Sequence, residues 1–197
     1  MIVISFPYLA FSLLNPGSRI ARDIGIIRMP LVAPVNSKAF AEISICSNKS
    51  KKNAVPKTKN ALKSEDMLLI RNILYREAQS DIYALIISGK GNVFCSGADF
   101  SELISIIGKN RKNRDLQSND MSNLCDSIQN FPFPTICALN GSAYGGGVEI
   151  ACACDFRISV PNIEVMVPPA KIGIHYHPVG IKRFLSILGT NITKRLL

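Results

Sequence analysis

The sequence predicts an α/β fold whose strands pair in parallel, and two observations carry this prediction. Short apolar runs that end at glycine or polar residues are typical of buried strands. Between them lie segments in which apolar residues recur at helical spacing, and such alternation favours parallel pairing. The chain has 197 residues, of which 47% are hydrophobic, so it is long and apolar enough to bury a core.

The first elements follow from local patterns. Residues 40–46 alternate between apolar and polar side chains, which predicts a strand. Residues 47–59 are rich in lysine, asparagine and serine and are predicted as a loop. Ser-Glu-Asp at Ser64 is a helix start signal, and apolar residues then recur at helical spacing up to Leu74. The apolar run at 83–87 ends at Ser-Gly and predicts a buried parallel strand.

The alternation continues in the second half of the chain. Short helices are predicted over residues 101–107 and 121–131, and the second is stopped by the prolines that follow it. Residues 135–139 predict another buried strand. A triple glycine opens a helix over residues 145–154, and residues 156–160 predict a further strand. The chain shows no internal repeat.

Positive charge is concentrated in two short runs. The chain holds 23 Lys and Arg against 14 Asp and Glu, a net charge of +9 at pH 7. Residues 49–63 contain six lysines and residues 109–114 four basic residues, without any acid, so the remainder balances at 13 basic against 14 acidic residues. The runs are either solvated loops or part of an anion site. Nucleic-acid binding is disfavoured because residues 49–63 offer no aromatic side chain for base stacking.

The six cysteines predict buried free thiols in a reducing compartment. They lie in apolar surroundings and lack the paired spacing of a zinc site, so no metal is expected. They are Cys46, Cys95, Cys125, Cys137, Cys152 and Cys154.

The first forty residues stand apart from the alternating pattern. Residues 1–14 are apolar, follow no basic segment and are too short to span a bilayer, and nothing later looks like a membrane span. We interpret residues 1–39 as an N-terminal extension of unknown role, either a targeting segment or the product of an incorrect start site. Residues 40–197 form the folded core.

Two glycine turns follow two of the buried strands. The first is Phe-Cys-Ser-Gly-Ala-Asp at 94–99, and the second is Asn-Gly-Ser-Ala-Tyr-Gly-Gly-Gly at 140–147. Glycine lets a backbone N–H approach a ligand closely, and a helix that starts at the triple glycine aims free N–H groups at the same place. Two such groups on one carbonyl oxygen make an oxyanion hole, although either turn alone is more often simply a tight turn.

Together these motifs resemble the crotonase, or enoyl-CoA hydratase/isomerase, superfamily. The resemblance rests on 94–99, on Pro-Thr-Ile-Cys-Ala-Leu-Asn-Gly-Ser-Ala-Tyr-Gly-Gly-Gly-Val-Glu at 134–149 and on Cys-Asp-Phe-Arg-Ile at 154–158. Lys-Asn-Ala-Leu at 59–62 resembles the early motif of that family and is preferred over Lys-Asn-Ala at 52–54, because the predicted helix follows it directly. The resemblance implies the crotonase-like spiral of ββα units with parallel strands.

The resemblance implies an acyl-CoA enzyme, either a lyase or an isomerase, that stabilises a thioester enolate. The N–H groups of Ala98 and Gly146 would hold the thioester oxygen. Glu149, one helical turn after Gly146, matches the first catalytic carboxylate of the family. Lysine side chains near Lys59 would meet the CoA phosphates. No cofactor is expected beyond the coenzyme A of the substrate itself.

Further substrate contacts are implied for residues in the early motif, in both glycine turns and after the strand at 156–160. They are Lys59, Ala61, Ser96, Asp99, Phe100, Tyr144, Gly145, Pro168 and His175.

One departure from the family pattern bears on the reaction. Hydratases of the family carry a second glutamate in a Pro-Glu pair, and here Pro169 stands in its place. Glu164 is nearby but out of register to replace it. Proline cannot transfer a proton, so water addition by two carboxylates lacks its second group. Tyr176 resembles a tyrosine of methylmalonyl-CoA decarboxylase-like members, and for decarboxylation His175 or Tyr176 could donate the proton. The alternatives are that both residues only shape the acyl pocket, and that the chain is a degenerate, non-catalytic member of the family.

The end of the chain gives the last expectation. Members of the family normally continue with helices that close the active site and build a trimer or a dimer of trimers, so the sequence predicts a C-terminally truncated member. The resemblance further implies fatty acid metabolism in the cytoplasm, with a mitochondrial location left open.

Overall fold

The computed structural model describes residues 40–45, 59–109, 114–168, 171, 173 and 175–197, with the backbone alone for 40–45, 105–109 and 114–118. Seven strands and five helices lie within these ranges. They are β1 (Phe40–Ile45), α1 (Ser64–Glu77), β2 (Ala84–Gly89), β3 (Val93–Cys95), α2 (Phe100–Lys109), α3 (Arg114–Gln129), β4 (Thr135–Leu139), β5 (Ser142–Tyr144), α4 (Gly146–Ala153), β6 (Phe156–Ser159), β7 (Val165–Met166) and α5 (Pro178–Leu196).

The main sheet has four parallel strands in the order β1-β2-β4-β6. In its middle, Ile87 of β2 pairs with Ile43 on one side and with Cys137 on the other. Leu85 and Ile87 pack into the main core, while Ala84, Ile86 and Ile136 form a smaller cluster. Successive residues of a strand point to opposite faces, so this division shows that β2 is buried on both faces. The predicted α/β class with parallel strands is confirmed.

A second sheet, not predicted from the sequence, brings the two glycine turns side by side. It consists of β3, β5 and β7, which are parallel and only two or three residues long. Strands of this length contain too few residues to show alternation. β3 pairs with β5 and ends at Cys95, two residues before Gly97 of the first glycine turn, and β5 ends directly before the triple glycine. Both turns therefore leave the same edge of this sheet.

Several predicted boundaries are corrected. The helix predicted over residues 121–131 begins earlier, at Arg114, and ends at Gln129. The helix predicted over 101–107 is longer at both ends, and the one predicted over 145–154 spans Gly146–Ala153, so Cys154 already ends it. The strand predicted over 83–87 is shifted to Ala84–Gly89 and leaves Tyr83 exposed. Most of the predicted loop at 47–59 lies outside the described residues.

The helices that position the site are α3, α4 and α5. Every residue of α4 is buried, as expected for a helix that is apolar on all sides. The helical path of α5 is broken at Gly189, which has a φ of 73°. Its buried stripe follows helical spacing and consists of Gly180, Arg183, Phe184 and Leu188.

The predicted burial of free thiols is confirmed for the cysteines that are described. Cys95, Cys125, Cys137, Cys152 and Cys154 are buried and free, and Cys46 lies outside the described residues. Within the described ranges, no helix has the length and apolarity needed to cross a bilayer. The same ranges contain no group of three potential ligands that could hold a metal ion.

Candidate active site

The two glycine turns meet in the structure. A Cβ placed on Gly97, which has a φ of +87°, would lie 2.7 Å from the amide nitrogen of Gly146 and 2.9 Å from the carbonyl oxygen of Tyr144. Only a residue without a side chain permits this approach at this backbone angle. The sequence predicted that both turns belong to one site, and the structure brings them into contact.

Hydrogen bonds fix the direction of the Ala98 amide. The amide of Leu62 donates to the carbonyl of Gly97 (2.8 Å), and the amide of Asp99 donates to the carbonyl of Leu62 (2.8 Å). In a trans peptide unit the carbonyl and the next N–H point in opposite directions. The N–H of Ala98 therefore points away from Leu62, and Ala98 itself is exposed.

The Gly146 amide is directed by the same argument. The carbonyl of Gly145 accepts from the amides of Val148 (3.0 Å) and Glu149 (3.3 Å), so it points into α4. The N–H of Gly146 then points out of the helix N-terminus, where the first amides of a helix have no intrahelical partner. A negatively charged oxygen at this end of α4 would also be favoured by the helix dipole.

Asp99, a predicted substrate contact, caps the helix that follows the first turn. One carboxylate oxygen of Asp99 accepts from the hydroxyl of Ser101 and from the amide of Glu102 (3.1 Å). The backbone carbonyl of Asp99 accepts from the amide of Leu103 (3.0 Å). The Ser101 hydrogen bond is the largest cause that lowers the pKa of Asp99. The carboxylate is thereby used to begin α2, and its contact with substrate stays a prediction.

Glu149 is buried, with 2% of its surface exposed. It lies one turn after Gly146, and side chains of a helix tilt towards its N-terminus, so the carboxylate points back along α4. Burial raises the pKa of Glu149, and the Tyr176 hydroxyl, the charge of Arg183 and that of His177 partly oppose this shift. Glu149 is therefore not an ordinary surface acid of a helix.

Tyr176 lies against Glu149, as the two predicted catalytic residues should. Its hydroxyl donates to Oε2 of Glu149 at 2.8 Å, and its ring packs on Phe184 with centroids 5.3 Å apart. Burial is the first cause that raises the pKa of Tyr176, followed by the charge of Glu149. Gly180 closes this contact, because a Cβ there would lie 2.4 Å from the Tyr176 ring and 2.7 Å from Oε2 of Glu149.

Arg183 is the residue of this site that the sequence did not reveal. Its guanidinium donates to Oε1 of Glu149, to Oδ1 of Asp126 (2.5 Å) and to Oε1 of Gln129 (3.2 Å). The only local signal is a basic residue beside Phe184 in the apolar stripe of α5. That signal indicates a buried arginine but not its partner, because Glu149 is 34 residues away.

The remaining predicted residues differ in their burial and in their contacts. Gly145 has a φ of 52° and directly precedes α4. The hydroxyl of Tyr144 donates to the Glu164 carboxylate at 2.8 Å. Lys59 is exposed in a turn next to the buried Ala61. The others are exposed or half-buried: Ser96, Phe100, Pro168 and His175.

The position at which hydratases of the resembled family carry a second glutamate is occupied here by Pro169, which lies outside the described residues. Glu164, which the sequence placed out of register for that role, is exposed and held by Tyr144 and by the hydroxyl of Ser142, which accepts from the Glu164 amide at 3.0 Å. Within the described residues, Glu149 is the more deeply buried of the two acids at the glycine turns, at 2% exposure against 8% for Asp99.

Comparisons with known proteins bear on the family to which this chain is related. A family model described as enoyl-CoA hydratase/isomerase matches residues 52–197. A "probable enoyl-CoA hydratase" of Bacillus subtilis is 33% identical over 132 residues, which cover 66% of this chain and 50% of that protein. An ethylmalonyl-CoA decarboxylase of Gallus gallus is 33% identical over 128 residues, 61% of this chain and 40% of that protein. The chain spans about half the length of the curated relatives it matches.

Solved structures show the same fold. An enoyl-CoA hydratase from Bacillus anthracis superposes with a TM-score of 0.70 at 25% identity, covering 83% of this chain and 60% of that one. An enoyl-CoA hydratase/carnithine racemase from Magnetospirillum magneticum gives a TM-score of 0.73 at 24% identity, covering 82% and 58%, and supports the fold alone. The predicted crotonase-like architecture is confirmed.

Proposed function

Because this chain belongs to the enoyl-CoA hydratase/isomerase family, we propose that it binds an acyl-CoA and stabilises the enolate of the thioester. The observation that carries the proposal is the contact between Gly97 and Gly146, where the amides of Ala98 and Gly146 emerge from two adjoining turns. Two N–H donors that are held in place before the reaction stabilise a developing oxyanion without reorganisation.

Glu149 is the proposed base. An α C–H bond of the acyl group breaks, the proton passes to the Glu149 carboxylate, and the electron pair moves onto the thioester oxygen. The raised pKa of Glu149 supports this role, because a carboxylate that binds a proton more tightly is a stronger base near neutral pH. Glu149 lies one turn after Gly146, so the base and one of the two oxyanion donors belong to the same helix end.

Lys59 is the proposed contact for the phosphates of coenzyme A. It is exposed in the turn that precedes Ala61 and Leu62, and Leu62 is hydrogen-bonded to the first glycine turn. This turn therefore fixes Lys59 relative to the amide of Ala98. A lysine at such a position offers a point charge to a phosphate without requiring one fixed geometry.

Calorimetry and hydrogen exchange test the proposal. We expect coenzyme A to bind, and butyryl-CoA in D₂O to exchange its α-protons. Glu149→Gln should lower the exchange rate by about 10²–10⁴ while coenzyme A still binds. The matched control is Glu65→Gln, which changes an exposed glutamate of α1 and should leave exchange unchanged.

Each other outcome has a definite meaning. Exchange that survives Glu149→Gln contradicts the role of Glu149. Binding without exchange indicates the non-catalytic family member. Absence of coenzyme A binding together with salt-sensitive binding of DNA or RNA contradicts the proposal as a whole.

Decarboxylation is the second candidate reaction. It is favoured by the hydrogen bond between Tyr176 and Glu149 and by the likeness to the ethylmalonyl-CoA decarboxylase of Gallus gallus. The reaction needs no activated water: the bond from the α-carbon to the carboxylate breaks, CO₂ leaves, the electron pair moves onto the thioester oxygen, and a proton then reaches the α-carbon.

Two substrates separate decarboxylation from hydration. CO₂ release from methylmalonyl-CoA that is lost in Tyr176→Phe supports the decarboxylase. Unchanged release in that variant removes Tyr176 from the reaction. Hydration of crotonyl-CoA without CO₂ release from methylmalonyl-CoA contradicts the decarboxylase.

A further inference from the structure

Arg183 joins three helices at the candidate base. It projects from α5, its side chain is 4% exposed, and it donates to Glu149 of α4 and to Asp126 of α3 through two different nitrogens. Its third nitrogen donates to Gln129, also on α3. The planar fork of a guanidinium is suited to this arrangement, since it holds several acceptors at once in a fixed geometry.

The surroundings of Glu149 explain why such a cation is needed. A buried carboxylate loses its favourable hydration unless a charge and hydrogen bonds replace the water. The groups that face it are Tyr176, His177 and Arg183 from the segment that leads into and includes α5, Asp126 and Cys125 from α3, and Cys152 from its own helix. Among these groups Arg183 alone is a cation at every working pH.

We propose that Arg183 is a positioning residue for the reaction, which holds the Glu149 carboxylate charged and oriented beside the oxyanion donors. This inference rests on the proposed function, because it explains why Glu149, the proposed base, is held as an oriented carboxylate. Arg183 itself would not touch the substrate. Arg183 donates to Oε1 of Glu149 and Tyr176 donates to Oε2, so the carboxylate is held through both oxygens.

The charge balance agrees with this role. Arg183 lies between two carboxylates, of which Asp126 is 53% exposed and therefore in contact with water as well. Glu149, at 3% exposure of its side chain, has no such help and depends on Arg183. Burial raises the pKa of Glu149 and the charge of Arg183 opposes that rise, so loss of Arg183 should raise the pKa further.

Infrared titration of the free protein provides the test. The band of the protonated Glu149 carboxyl is identified by its loss in Glu149→Gln, and its midpoint is followed against pH. In Arg183→Gln we expect the midpoint to rise by about 1–3 pH units, the usual effect of removing an adjacent opposite charge. The pH profile of α-proton exchange should move in the same direction.

Two further variants keep the test decisive. Arg183→Lys conserves the charge but carries its donors on one nitrogen, so it cannot reproduce the geometry in which three guanidinium nitrogens reach Glu149, Asp126 and Gln129; a smaller rise in the same direction is expected. The matched control is Arg157→Gln: Arg157 is also a buried arginine beside α4, but it donates to the backbone carbonyls of Ala151 (3.0 Å) and Cys154 (2.6 Å). This control should destabilise the protein without moving the Glu149 midpoint.

The outcomes distinguish this inference from the proposed function. A midpoint that is unchanged in both Arg183 variants, or that shifts equally in Arg157→Gln, overturns the role of Arg183. The titration needs no acyl-CoA, so a shifted midpoint in a protein that binds no coenzyme A contradicts the proposed function while the Arg183–Glu149 coupling stands.

Discussion

Glu149 and Asp99 are two acids near the same turns whose pKa values move in opposite directions. Glu149 loses water on burial, and its hydrogen-bond donors only partly replace it, so its pKa rises. Asp99 accepts hydrogen bonds from a hydroxyl and a backbone amide at a helix start, so its pKa falls. An acid that resists ionisation can serve as a base near neutral pH, whereas one that ionises readily serves better as a helix cap.

The lowered pKa of Asp99 gives a prediction for acid stability. Its folded pKa lies below that of the unfolded chain, so its contribution to stability is present above the unfolded value, 3.8, and is lost as the pH falls through the folded value. Asp99→Asn should therefore lower the free energy of unfolding by about 0.3–1 kcal/mol at pH 7 and have no such effect near pH 2. Thermal melts at both pH values measure this.

The control for this prediction is an exposed aspartate in a turn. Asp81→Asn should leave the melting temperature unchanged at both pH values, because the exposed Asp81 caps no helix. An Asp99→Asn variant as acid-sensitive as the wild type would show that the charge of Asp99 contributes nothing to the cap.

Gly97 and Gly91 distinguish two reasons why a turn requires glycine: a positive φ and close contact with another segment. Both have a positive φ, of +87° and +82°, but only at Gly97 would a Cβ meet another part of the chain. A side chain at a positive φ costs about 1–3 kcal/mol through backbone strain alone. At Gly97 the contact with Gly146 adds to this strain.

Alanine substitutions should separate these two costs. Gly91→Ala is expected to lower stability by about 1 kcal/mol and to leave α-proton exchange intact. Gly97→Ala should lower stability further and reduce exchange by about 10²–10³, as for the loss of one oxyanion donor. Denaturant unfolding and exchange of butyryl-CoA provide the two measurements. Equal effects of the two substitutions on exchange would mean that the contact of the turns has no part in the chemistry.

The elements that the sequence predicted least well are those with the weakest periodic signal. β3, β5 and β7 have two or three residues each and exist because they pair with one another. The early start of α3 at Arg114 was also missed, since the apolar spacing that indicates this helix begins only near Met121. Elements with long apolar runs, such as β2 and β4, were placed to within one or two residues.

For the whole molecule, the described cysteines report on the integrity of the core. Burial raises the pKa of the Cys95 and Cys152 thiols to about 12 and raises those of Cys125 and Cys137 well above their usual value. The reactive form of cysteine is the thiolate, so burial and the suppressed ionisation of these thiols both oppose modification in the folded state.

Iodoacetamide labelling should therefore be a test of folding. We expect the buried cysteines of the described chain to remain unmodified at pH 8 in the native protein and to react fully in guanidinium chloride, as read by mass mapping of peptides. Peptides with Cys46, which lies outside the described residues, are scored separately. Rapid native labelling of Cys137, which lies in the middle of the main sheet, would contradict the packing of that sheet.

The sequence by itself determined the α/β class, the parallel strands and the two glycine turns, because burial of one face and tight turning leave their pattern within a few neighbouring residues. It also marked Glu149 and Tyr176 through the family resemblance. Only the tertiary structure decided that Gly97 touches Gly146, that Asp99 caps a helix and that Arg183 pairs with Glu149. A buried charge takes its partner from whatever packing brings within a few ångströms, and for Arg183 and Asp126 that partner lies 57 residues away along the chain.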